Sequence, residues 1–132
     1  MKKITIAIAL LLFTVSCKPE NELILERGNY FYEQKDFHEA ANQYNKIILD
    51  AISKKSLDEK ETAILAHAHQ QKSLCYAQLA ESVNDIDTKK MYYQDALKDI
   101  KKACDLATKS NKREEYLETQ TGILKKSAQY FN

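Results

Sequence analysis

Only two glycines and one proline occur in 132 residues, and the proline, Pro19, stands ahead of the first periodic segment. Breakers this rare leave little with which to punctuate strands and tight turns. Ala, Leu, Lys, Glu and Gln, which lose little on entering a helix, fill the chain instead. The fold class implied is all-α.

Apolar spacing divides the chain into five helices. The first is expected over residues 22–35, with Leu25, Gly28, Phe31 and Tyr32 on one face. Gly28 costs about 1 kcal/mol relative to Ala inside a helix, so it needs a packing reason to be there. Asp36 can cap a second helix, with Glu39 three residues on completing a capping box. That helix carries Phe37, Ala40, Ala41, Tyr44, Ile47 and Ile48 and runs to about Lys54. Ser56 and Glu59 repeat the box signature for a third helix reaching about Ser82, with Ile64, Ala68, Leu74, Tyr76, Ala77 and Leu79 as apolar positions. Asn84-Asp85-Ile86-Asp87 is the plainest loop, with Asp85 or Asp87 as cap. A fourth helix is expected over about 88–108. After a break at Ser110-Asn111, a fifth covers about 112–130, its stripe being Tyr116, Gln120, Ile123, Leu124, Ser127 and Phe131.

The first 16 residues read differently. Met1-Lys2-Lys3 is a short basic start, Ile4 to Phe13 is apolar, and Thr14-Val15-Ser16 precedes Cys17. That order describes a secretory signal peptide. A spanning helix needs about 20 apolar residues, and Lys18-Pro19-Glu20 ends this run short of it. The closing residues resemble a bacterial lipobox, departing from it at Thr14, where Leu is usual. The resemblance implies lipidation of Cys17 as the first mature residue, with 17–21 as a tether. Each buried CH₂ contributes about 0.8 kcal/mol and lasting attachment takes more than one chain. A multiply acylated Cys17 would thus hold the domain at a membrane of the cell envelope with no protein segment in the bilayer. Lys18 after the cysteine is similar to the outer-membrane sorting pattern of enterobacteria. Ordinary cleavage nearby and an uncleaved anchor are the alternatives.

Removing the first 16 of 132 residues leaves 116, enough for one small domain. Taking Lys2 and Lys3 from 20 basic side chains leaves 18 against 19 acidic ones. Nucleic-acid binding draws on phosphate neutralisation, which this balance does not support. Cys75 and Cys104 remain. An extracytoplasmic compartment permits a disulfide between them, while their apolar helical settings also suit small buried residues. No cofactor is implied, and no ligand set has metal-site spacing. His67 and His69 are two apart and leave a helix on different sides. Carboxylates at 58, 59, 61, 85, 87, 114 and 115 sit at helix starts, where they complement the macrodipole. Nothing resembles an activated nucleophile, and an enzyme is not expected.

Residues Arg27-Gly28-Asn29-Tyr30-Phe31-Tyr32-Glu33-Gln34-Lys35-Asp36-Phe37-His38-Glu39-Ala40, continuing through Tyr44 and Ile47, resemble one tetratricopeptide (TPR) repeat. The family's pattern falls on Gly28, Phe31, Phe37, Ala40 and Tyr44; Ile47 replaces its final Ala, and its closing Pro is absent. A degenerate second copy uses Ser73, Tyr76, Tyr93, Ala96, Ile100 and Ala103, with a turn about eleven residues longer than the family's. The resemblance spans about residues 22–108. It implies a right-handed α-solenoid: a first hairpin over 22–54, a second with a long turn over 57–108, and a C-terminal capping helix over 112–131. Stacked repeats bury their faces only against neighbours, so the fifth helix either caps the stack or forms an interface.

The family lines its concave side with the first helix of each pair. By that resemblance a partner-binding groove would hold Leu25, Asn29, Tyr32 and Glu33 from one hairpin and His67, Gln70, Leu74 and Gln78 from the other. Tyr32, large and polar-tipped, is the anchor of choice. A clamp for a C-terminal carboxylate is not expected, because Leu25 stands where that subclass has Lys and Gln71 where it has Asn. The resemblance implies a protein–protein adaptor tethered in the bacterial cell envelope, with another envelope protein or peptide segment as partner. Outer-membrane lipoproteins of this repeat class include the D subunit of the β-barrel assembly machinery, of which this chain would be a shortened relative, so a β-barrel assembly subunit is one expected partner. The other class is a structural or self-associating helical lipoprotein with no peptide groove.

Overall fold

The structure is a computed structural model describing residues 18–131. The signal segment 1–16 and the lipidation site Cys17 lie outside the described residues. Five helices follow in order: α1 (Glu20–Glu33), α2 (Phe37–Ser53), α3 (Glu59–Ser82), α4 (Ile86–Leu106) and α5 (Arg113–Phe131). There is no strand among the described residues.

Local chemistry sets the boundaries. Lys35 takes a left-handed φ of 61° and ends α1 two residues before the expected limit. Asp36 then caps α2, accepting from the Glu39 amide at 3.2 Å. The expected reciprocal bond from Glu39 does not form; its carboxylate turns forward to accept from Gln43 Nε2 at 2.7 Å. Ser56 caps nothing. The true box is two residues later, where Asp58 accepts from the Glu61 amide at 2.7 Å and Glu61 accepts from the Asp58 amide at 3.5 Å. An ionised carboxylate is the stronger acceptor at a helix N-terminus, and Lys54, bonded to Glu61 at 2.5 Å, fixes that residue from the preceding turn. Asp58→Ala is therefore expected to cost about 1 kcal/mol and Ser56→Ala almost nothing, as read from chemical denaturation. A larger loss at Ser56 would put the cap back there.

Asp85 starts α4, binding the Thr88 amide at 2.9 Å and hydroxyl at 2.6 Å. The long turn expected in the second hairpin is absent. Only residues 83–85 separate α3 from α4, and the extra sequence lengthens these helices to 24 and 21 residues.

Each helix packs on its neighbours in sequence, and α3 also touches α1 and α5. Two cores result. One joins α1, α2 and α3 around Ala40, Tyr44, Ile47, Leu65, Ala68 and Cys75. The other joins α3, α4 and α5 around Tyr93, Ala96, Ile100, Ala103, Tyr116 and Ile123. Helix α3 is the wall between them, which is why its buried residues run round most of its circumference and include His69, Gln70 and Ser73. Among the described residues the members of both cores lie within 24–130, and the two cores are joined through α3.

Gly28 has the packing reason its sequence asked for. A Cβ there would lie 2.5 Å from Tyr44 Cε1. The fully buried ring lies against the α1 backbone, and its hydroxyl donates to Asn29 Oδ1 at 2.6 Å.

Candidate functional site

The expected concave residues are not left as one open surface. Asn29 is spent on Tyr44. Leu25 is half-buried against the α1–α3 core, and Tyr32 meets Phe37 edge-on at 5.2 Å. Burial raises the Tyr32 phenol above its ordinary range, while neighbouring Gln78 pulls it back. On α3, Gln70 is only 3% exposed and donates to Glu115 at 3.3 Å and Thr119 at 3.2 Å on α5. Its own carbonyl oxygen has no partner among the described residues. His67 is half-buried, its basicity lowered by burial and raised by Glu115. Lys112 and Gln70 in turn hold the Glu115 carboxyl below its usual range. Helix α5 therefore roofs the α3 half of the expected groove. Tyr32, Glu33, Leu74 and Gln78 remain as a smaller, partly open strip.

The α5 stripe is also split. Tyr116, Ile123 and Ser127 are buried, whereas Leu124 and Phe131 are 50% and 42% exposed and join Leu117 on the outer face.

Cys75 and Cys104 are separate buried thiols. They belong to different cores, Cys75 with α2 and Cys104 with α4 and α5, and are not bonded to each other in this structure. Burial pushes the Cys75 thiol from 9.0 up to about 12 and raises the buried Tyr44 and Tyr93 phenols. Below pH 9 folded and unfolded thiols are both neutral. Between about 9 and 12 the unfolded chain ionises first, at about 1.4 kcal/mol per group and pH unit. Stability is thus expected to fall as pH rises through that window and to be insensitive to reductant at pH 7. Denaturation midpoints at pH 7, 9 and 10.5 test both, and Cys75→Ala should flatten the alkaline slope.

A second concavity opens on the other side of α3. Helices α2 and α4 each pack on α3 and touch each other through side chains, as where His38 meets Tyr92 at 6.3 Å; elsewhere they stand apart, leaving a groove of about 630 Å³. Leu57, Leu65 and Leu106 form its floor, Ile48, Ala51 and Ile52 its α2 wall, and Lys98, Lys101 and Lys102 its α4 wall. In the lining itself, His69 Nδ1 meets Asp99 Oδ1 at 2.8 Å, with both residues 8% exposed. Lys72 lies 3.8 Å from the other Asp99 oxygen and donates to Asn45 at 3.1 Å. This network ties α2, α3 and α4 together where a buried carboxylate would otherwise stand alone.

The volume falls within the range of small-ligand and peptide sites, about 300–1,000 Å³, and half of its lining residues are apolar, the rest being charged side chains and His69. Among the described residues no three His, Cys, Asp or Glu side chains gather as a metal site, and no helix is long and apolar enough to cross a membrane. The sequence reading missed this groove. Its one signal was Ala51 and Ile52, which continue the apolar face of α2 beyond what a single core stripe needs.

Compared with known protein families, curated proteins and solved structures, the chain matches none.

Proposed function

We propose that this protein is a lipid-anchored adaptor of the bacterial cell envelope, tethered through Cys17 and binding another envelope protein. In this reading α1–α2 and α3–α4 are two TPR-like hairpins stacked as a short right-handed solenoid, with α5 as its cap. The observation that carries it is the uncovered groove between α2 and α4, a concavity with an apolar floor and α2 side and a charged α4 side. Apolar recesses rimmed by charge are how folded domains take up partner segments. The approach of Tyr44 to Gly28 supports the TPR-like pairing of α1 and α2, since the family keeps a small residue there for the same purpose.

The test uses the full chain in its native envelope, with a photoreactive phenylalanine analogue in place of Ile52, which is 74% exposed on the groove wall. A discrete adduct with one envelope protein is the expected result. Absence of any protein adduct overturns the adaptor reading. The narrower proposal, a role in outer-membrane protein assembly, requires that adduct to be a subunit of the β-barrel assembly machinery. The anchor is checked separately: palmitate should label the wild type and not Cys17→Ser.

A second reading, self-association, is favoured by the outer face of α5. Leu117, Leu124 and Phe131 are exposed at seven-residue intervals, the repeat of a two-helix seam. Sedimentation of residues 18–132 separates the two: a dimer abolished by Leu124→Glu supports self-association, and a monomer removes it.

A further inference from the structure

Resting on the adaptor reading, we infer that the α2/α4 groove takes an amphipathic α-helix of the partner, one with an apolar stripe flanked on one side by two carboxylates a single turn apart. The two walls are chemically unequal. The α2 wall, Ile48 and Ile52 above all, carries no charge. On the α4 wall, Lys101 is engaged by Asp105 at 3.0 Å and Asp99 by His69 at 2.8 Å. Lys98 and Lys102 make no ion pair among the described residues. They stand at i and i+4, neighbours about 5–6 Å apart on the helix surface, which matches carboxylates at i and i+4 of a second helix.

Length and backbone chemistry agree with a helical occupant. From Lys98 to Leu106 the α4 wall rises about 12 Å at 1.5 Å per residue. Two turns of a partner would span it, with anchors at i, i+3 or i+4, and i+7. The lining offers side chains and no free strand edge. An extended peptide would bring unpaired amides and carbonyls onto an apolar floor, whereas a helix arrives with those groups already bonded. A bilayer surface is a poorer match, because the groove is recessed: Ile48 on its wall and Leu65 on its floor are only 8% and 7% exposed.

The test titrates residues 18–132 with three probes: a fluorescent helical peptide with leucines at i, i+4 and i+7 and two glutamates one turn apart on one flank, the same peptide with lysines for those glutamates, and phosphatidylglycerol vesicles. Each is repeated with the Lys98→Glu/Lys102→Glu variant, whose two changes are exposed and break no ion pair. Wild type is expected to bind the acidic peptide, and the variant to bind it about tenfold or more weakly, two exposed pairs becoming two repulsions. The lysine peptide should show the opposite order. Equal binding of the acidic peptide to both proteins, no binding to wild type, or preference for vesicles overturns the inference. Such a result beside a protein adduct at position 52 leaves the adaptor standing with a different kind of segment. Lack of any adduct removes the adaptor whichever peptide binds.

Discussion

Tyr93→Ala is expected to lose about 3–5 kcal/mol of folding stability, the range for truncating a sealed aromatic. Tyr93 has no exposed surface, stacks on Tyr130 with ring centroids 5.7 Å apart, and donates its hydroxyl to Glu81. Truncation leaves a ring-sized void between α3, α4 and α5 and deprives Glu81 of its donor. Domains of this size have about 5–15 kcal/mol in total, so the variant would lie close to unfolding at 25 °C. Tyr93→Phe keeps the ring and should cost about 1 kcal/mol, the net worth of one hydrogen bond. Urea denaturation followed by helical circular dichroism measures both. A loss below about 1 kcal/mol for the alanine variant would mean that the cavity collapses and that α5 is not fixed by this stack.

Gly28→Ala tests two opposed effects of similar size. Helix propensity favours the alanine by about 1 kcal/mol. Packing opposes it, because the new methyl would lie 2.5–2.9 Å from three Tyr44 ring carbons, and overpacking a closed core costs about 1–3 kcal/mol. The ring cannot swing aside, being fully buried and tied to Asn29, so packing should win and the variant be destabilised. A double-mutant cycle with Tyr44→Leu isolates the cause: in that background the Gly28→Ala penalty should shrink or change sign. Gly122→Ala is the control, since nothing lies within 4 Å of an added Cβ there and propensity acts alone to stabilise α5. If both glycine variants stabilise equally, the close approach of α1 and α2 is not a constraint.

The helices were legible because each rests on local signals: breakers, caps and apolar spacing. Errors came where two local signals competed. Ser56/Glu59 and Asp58/Glu61 carry the same box spacing, and the choice depended on Lys54 reaching across from α2. The second hairpin's surplus residues read as a long turn because spacing between matched positions does not say whether what intervenes is helix. The site was less legible for a different reason. Which helix faces are covered depends on how neighbours stack, and nothing in Gln70 or His67 reveals that α5 will lie over them. The α2/α4 groove is likewise a property of two helices that stand apart away from their His38–Tyr92 contact, and its residues lie far apart in the chain, at 48–69 and 98–106.

Because α3 supplies residues to both cores, neither half can melt and leave the other intact. Losing α1 and α2 would bare Leu65, Ala68 and Cys75 to water, and losing α4 and α5 would bare Ala66, Ala77 and Ala80. Calorimetry should accordingly show one endotherm with equal van't Hoff and calorimetric enthalpies. The His69–Asp99 bond joins the same shared helix to α4 within the groove lining. A segment seated there would be stabilising the whole protein at once, and its arrival would register as slower amide exchange as far away as Tyr116.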